Sequence, residues 1–130
     1  MSPTESASPV ICAEDILEMA TGFWVSKTLF TATDLGVFDA LAEGPQRCSE
    51  LAARLGLPER SLQRLLTGAA ALGLLKRAGT AWANTEAAQT LLVASSPEFI
   101  GGLFGHFDHD LYPLWGHLAD AIRHDGPRWK

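Results

Sequence analysis

The stretch Ser49–Leu75, SELAARLGLPERSLQRLLTGAAALGLL, constrains the fold of this chain more than any other. Leu51, Ala52 and Leu55 recur at helical spacing and predict a helix over Ser49–Leu55. Gly56-Leu57-Pro58 breaks it, because glycine accepts left-handed backbone and proline lacks the amide donor a helix needs. Helical spacing resumes over Glu59–Leu72, with Leu62, Leu65, Leu66, Ala69 and Leu72 on one face, and Gly73 ends it. Leu74-Leu75-Lys76 and Ala81-Trp82-Ala83 then alternate around Arg77–Thr80, which predicts a two-stranded β-wing. Two short amphipathic helices joined by so tight a break must cross and share one core. The predicted fold class is mainly α: a winged helix-turn-helix with a small two-stranded wing, flanked by long helices.

The flanks are read in the same way. Met1–Val10 is Ser/Pro-rich without periodicity, so residues 1–12 are expected to form a disordered arm. The domain proper is placed at residues 13–126. A long helical segment runs from Ala13 to Asp34, closed by Gly36. Glu14 and Glu18 mark one side of it, whereas Lys27 and Asp34 mark nearly the opposite one. Between them, Gly22, Phe23, Trp24, Val25, Leu29 and Phe30 leave the surface apolar around most of its circumference. Such a segment either is covered on both faces, the second by another chain or domain, or kinks at Gly22 into two ordinary amphipathic helices. Further elements are a short helix over Val37–Leu41, a break at Gly44-Pro45-Gln46, and a Thr85-capped helix to Leu92. A helix opened by Pro97 runs through Phe107. The last helix, Tyr112–His124, turns Leu114, Trp115, Leu118, Ala119 and Ile122 inward and stops at Gly126-Pro127.

A helix-turn-helix raises the question of DNA. The net charge is −5, yet Gln46–Thr80 holds six basic residues against two acidic ones, a local +4 that leaves −9 on the remainder. Arg60, Gln63, Arg64 and Thr67 lie where a recognition helix presents base-reading side chains, and Lys76 and Arg77 are placed to grip phosphate. Against this, Gly68-Ala69-Ala70-Ala71 supplies neither charge nor hydrogen bonds, and the wing tip is Ala-Gly-Thr. A DNA-binding regulator with a small-ligand pocket and a purely structural use of the fold both remain open on these residues alone.

Other constellations carry less. Cys12 and Cys48 form no CxxC or Cys/His cluster and suit a reduced, cytoplasmic chain. MSPTESASP lacks the regions of a secretory signal, and no apolar run approaches the roughly 20 residues that span a bilayer, so no membrane partner is expected. His106, Asp108, His109 and Asp110 are metal-capable but lack a convergent third ligand, so no metal is assigned and the stretch reads as a polar junction. Gly101–Gly105 follows no predicted strand, so it reads as close packing or a wall against a flat ligand rather than a nucleotide loop. No Ser/His/Asp or Cys/His set suggests a nucleophile. Phe23, Trp24, Phe104, Phe107, Tyr112 and Trp115 concentrate in the segments flanking the helix-turn-helix, where they serve as core or line an apolar pocket for a planar molecule.

GFWVSKTLFTATDLGVFDALAEGP (Gly22–Pro45), SELAARLGLPERSLQRLLTGAAALGLL (Ser49–Leu75) and WGHLADAIRHD (Trp115–Asp125) resemble the start of plant-type O-methyltransferases. The resemblance is nearest to the acetylserotonin (hydroxyindole) group and its bacterial small-molecule relatives, and it runs from about Asp15 to Gly126. It implies an N-terminal dimerisation domain whose helices interlock with those of a second subunit, with the winged helix as scaffold and no nucleic acid bound. It implies S-adenosylmethionine as the cofactor of the full-length enzyme and a small-molecule hydroxyl, aromatic or polyketide, as acceptor. The cofactor loop and the catalytic His of such enzymes lie further downstream, and none of the four His here matches that position. No catalytic and no cofactor-binding residue is therefore assigned to this chain.

The substrate-binding residues the resemblance implies are Phe23 and Trp24, reaching toward the pocket of the second subunit, and Phe104, Phe107 and Trp115, forming a wall of the chain's own pocket. Residues 127–130 are expected to begin the linker to a methyltransferase domain. The chain alone is expected to be an inactive fragment of an EC 2.1.1 enzyme.

Overall fold

In the computed structural model, which describes residues 10–126, the N-terminal helical segment breaks at Thr21. Helix α1 spans Ala13–Ala20 and α2 spans Gly22–Asp34. The Thr21 hydroxyl donates to the Leu17 carbonyl at 2.9 Å, a side-chain bond of the kind that bends helices. The kink is thus present one residue before Gly22, yet Phe23, Trp24 and Val25 just beyond it remain exposed. Further along α2, Thr28 and Thr33 donate to the carbonyls of Trp24 and Leu29. Their hydroxyls are satisfied within the helix and add no unmet donor to its apolar surface. The expected arm lies almost wholly, and the expected linker wholly, outside the described residues.

Gly36, at φ +82°, turns the chain from α2 into α3 (Val37–Ala40) in a conformation that favours glycine. Val37, Phe38 and Leu41 are buried at the centre of the molecule. The exposed carbonyls at the end of so short a helix need partners, and distant side chains supply them. The Ala40 carbonyl accepts from Gln46 Nε2 at 2.6 Å and from Arg54 Nη1 at 2.9 Å. Asn84 Nδ2 donates to the Phe38 carbonyl at 3.0 Å, and Gln89 Nε2 to that of Ala42 at 2.8 Å.

The helix-turn-helix forms where the periodicity places it. Helix α4 is Cys48–Leu55 and α5 is Glu59–Ala71, with Leu51, Ala52, Leu62, Leu66 and Ala69 buried in the core. At roughly 1.5–3 kcal/mol for each large apolar side chain taken out of water, this cluster outweighs any single polar contact in the molecule. The Gly68–Ala71 stretch does serve packing: Gly68 lies against Thr28 of α2, and a Cβ there would stand 3.6 Å from Thr28 Cγ2. Strands β2 (Leu75–Ala78) and β3 (Ala81–Asn84) form the expected hairpin through Gly79-Thr80. A third strand, β1 (Gln46–Arg47), joins the other edge of β3, so the sheet is three-stranded and antiparallel in the order β1-β3-β2. Gln46 therefore belongs to a strand rather than to the break before it, because it pairs with Trp82.

Four expectations are corrected beyond β3. Thr85 caps α6 (Glu86–Leu91) as expected, accepting from the Ala88 amide at 3.4 Å, but Pro97 opens no helix. The Ile100 amide returns to the Leu91 carbonyl at 2.9 Å and the Ser96 hydroxyl bonds the Thr90 carbonyl, which folds residues 92–100 back over the end of α6. Helical structure restarts at Gly101–Leu103 as a 3₁₀ turn, passes into a π-helix over His106–Leu111, and continues as α7 (Tyr112–Trp115). The supposed junction at His106–Asp110 is thus helical. The last helix is also divided: Gly116-His117 separates α7 from α8 (Leu118–Arg123). Its expected inward face is not inward. Trp115 is 69% exposed, and Leu118 and Ile122 are exposed too, because no element among the described residues packs over that side.

Candidate functional site

The five residues singled out as pocket-lining fall into two groups around α2. Phe104 and Phe107 close on Phe30 of α2, with ring centroids 5.6 Å and 6.5 Å from it and 6.4 Å from each other. This triad fastens the Gly101–Leu111 segment to α2. Beside it, a small cavity of about 120 Å³ lies among Phe30, Thr33, Asp34, Gly101, Phe104 and His109. The second group is Phe23, Trp24 and Trp115. Phe23 and Trp115, with Tyr112, Pro113 and Gly116, line an open apolar cleft of about 500 Å³. Trp24 packs edge-on against Phe23 at 5.7 Å and is itself 62% exposed. Within one chain, therefore, Phe23 stands across the cleft from Trp115. Tyr112, one of the flanking aromatics expected as core or pocket, lines the cleft, and so does Pro113, whose place could be read only from the three-dimensional arrangement.

Between the two groups lies an ion pair. Lys27 Nζ meets Asp108 Oδ1 at 2.6 Å, and Asp108 is buried to 7% side-chain exposure. A carboxylate so far from water needs a partner, and Lys27 reaches it with a side chain that is still half exposed. The same ammonium lies 5.4 Å from the centre of the Tyr112 ring. The other metal-capable side chains point elsewhere: His106 Nδ1 is 2.8 Å from Asp110, and His109 Nε2 is 3.8 Å from Asp34. Among the described residues no three His, Cys, Asp or Glu converge.

Of the six basic residues that raised the question of DNA, three are engaged within the fold. Arg47 bonds Glu50, Arg54 holds the Ala40 carbonyl, and Arg77 stacks on Trp82 with its guanidinium carbon 4.4 Å from the ring centre. Thr67 donates to the Gln63 carbonyl of its own helix. Both cysteines are free; Cys48 is buried, and burial raises its thiol pKa, so it is not poised as a nucleophile. No helix among the described residues is long and apolar enough to cross a membrane.

A helical core with exposed large apolar side chains along α1, the start of α2 and α7–α8 is the build of an association module. Residues 17–94 match the family model described as the O-methyltransferase dimerisation domain, and the chain belongs to that family. It is 36% identical over 112 residues to the S-adenosyl-L-methionine-dependent methyl transferase PigF of a Serratia species, covering 86% of this chain and 32% of PigF. It is 40% identical over 114 residues to the acetylserotonin O-methyltransferase of Mus musculus, covering 83% of this chain and 30% of that protein. The solved structure of PigF with SAH superposes with a TM-score of 0.84 at 33% identity, over 88% of this chain and 38% of that one. The chain spans about a third of the length of the curated relatives it matches.

Proposed function

We propose that this chain is the dimerisation and substrate-pocket domain of a cytoplasmic methyltransferase that moves the methyl group of S-adenosylmethionine to an aromatic or polyketide hydroxyl. The observation that carries the reading is the match of residues 17–94 to the dimerisation family together with the aromatic cleft between Phe23 and Trp115. The helix-turn-helix with its sheet acts as a winged-helix scaffold, holding α2 against α5 so that the apolar turns at the start of α2 face outward. A second copy covers those turns and α1, forming a homodimer. Phe23 and Trp115 orient a flat acceptor in the cleft and keep water from it. Trp24 braces Phe23, and Phe104 and Phe107 brace the far wall through Phe30. Orientation is where a non-catalytic domain contributes to the rate.

The cofactor and the group that takes the hydroxyl proton are assigned to neither the glycines nor the histidines described here. Gly101 is buried against Phe99 in a 3₁₀ turn preceded by turns rather than a strand, which suits close packing. The test is methyl transfer by the full-length protein, using S-adenosylmethionine labelled in its methyl group and a panel of hydroxyindoles, naphthols and aromatic polyketides. A labelled O-methyl product from at least one class is expected. Transfer to none of them, with the cofactor demonstrably bound, overturns the reading.

A further inference from the structure

The Lys27–Asp108 pair stands outside the hydrophobic core yet joins the two walls of the cleft. Phe23 and Lys27 lie four residues apart on α2, hence on one face of that helix. Asp108 and Tyr112 likewise lie four residues apart, across the end of the π-helix. The ion pair and the cleft are therefore successive contacts between the same two segments: Lys27 on Asp108, then Phe23 facing Tyr112 and Trp115. The π-helix has a physical part in this. A π-turn widens the helix and shifts the register of everything after it, and such turns concentrate at functional sites. Here it lies directly before Tyr112, and the buried carboxylate within it is anchored by a lysine 81 positions earlier in the sequence.

Resting on the reading of the cleft as the acceptor site, we propose that Lys27 and Asp108 are positioning residues for the acceptor. Their ion pair, with the Lys27 ammonium against the Tyr112 ring, sets the separation of the Tyr112–Trp115 wall from Phe23. Neither residue lines the cleft, so neither is catalytic; each acts through Tyr112. Removing one partner leaves the other without its counter-charge, and the wall loses the contact that fixes it.

Tyr112 is the sole tyrosine of the chain, so ring-labelled tyrosine gives one set of NMR signals from inside the cleft. In the wild-type chain, contacts between the Lys27 side-chain methylenes and the Tyr112 ring are expected, together with a saturable shift of the ring signal on titration with 2-naphthol. Asp108→Asn is expected to abolish the Lys27–Tyr112 contact, Lys27→Met to move the ring signal, and each to weaken 2-naphthol about tenfold. Lys27→Arg, which keeps the charge, is expected to hold affinity within about threefold. Should Asp108→Asn fail to fold, Lys27→Met alone decides, since that side chain is half exposed. An unmoved Tyr112 ring and unchanged affinity in the variants overturn the positioning role. A wild-type chain that binds no 2-naphthol counts instead against the acceptor cleft, and the Tyr112 signal in the ligand-free variants still decides whether the pair sets the wall.

Discussion

Leu66 has no exposed surface and belongs to α5, which packs against α2 and α4. Leu66→Ala should lower the unfolding free energy by about 3–5 kcal/mol in urea denaturation, the cost of lost transfer plus an uncollapsed cavity. The two adjacent glycines of the Gly101–Gly105 stretch should behave differently from one another. A Cβ on Gly101 would stand 2.6 Å from Phe99 Cε1, whereas one on Gly102 meets nothing within 4 Å. Gly101→Ala should therefore cost about 1–3 kcal/mol by overpacking. Gly102→Ala should be neutral or stabilising by up to about 1 kcal/mol, since it only restricts the unfolded chain. Equal effects at the two positions would contradict the packing described for Gly101. The sequence reading left close packing and a ligand wall open for this stretch; only the position of Phe99 separates them.

Helix α4 opens on a capping box, in which Glu50 accepts from the Arg47 amide at 2.9 Å. That bond, with a second from the Arg47 side chain, holds the Glu50 carboxyl below its ordinary pKa. A carboxyl whose folded pKa is lowered stabilises the fold above its unfolded pKa and loses that contribution as pH falls through the folded value. Asp15, bonded by the Cys12 amide, acts in the same direction at the start of α1. Stability should thus decline as pH drops from neutral through and below the ordinary carboxylate range, and Glu50→Ala should flatten part of that decline in acid titrations of the melting temperature. Helices α4 and α5 and the hairpin were legible in the sequence because each is written locally, as leucines at helical spacing or alternation around a turn. Strand β1 was not, because two residues beside Gly44-Pro45 become a strand only by pairing with Trp82 and Ala81, some 35 positions on. The π-helix was invisible for a related reason: its buried residue, Asp108, is polar, and its partner is on α2. The exposed face of α7–α8 misled in the opposite way, since amphipathic spacing says that a face is to be covered but not which chain covers it.

Taken whole, the molecule has a well-buried centre from Ala32 to Val93 and apolar margins along α1, the start of α2 and α7–α8, a distribution that favours association over nucleic-acid binding. Arg47, Arg54 and Arg77 are engaged by Glu50, Ala40 and Trp82, so half of the local basic residues are held by the fold itself. No retention of DNA is expected in low-salt gel shifts, and a salt-dependent complex that weakens in an Arg60→Ala, Arg64→Ala variant would reinstate the DNA-reading alternative. On the association side, Ile16, Leu17, Met19, Phe23, Trp24 and Val25 form the margin at α1 and α2, with Trp24 62% exposed. Placing a charge there should separate the subunits without touching the core. Sedimentation equilibrium at micromolar concentration tests this most directly. The account predicts a species of twice the 14.0 kDa chain mass that reverts to the single mass in Trp24→Glu. A wild-type chain that sediments as a monomer throughout that range would contradict it.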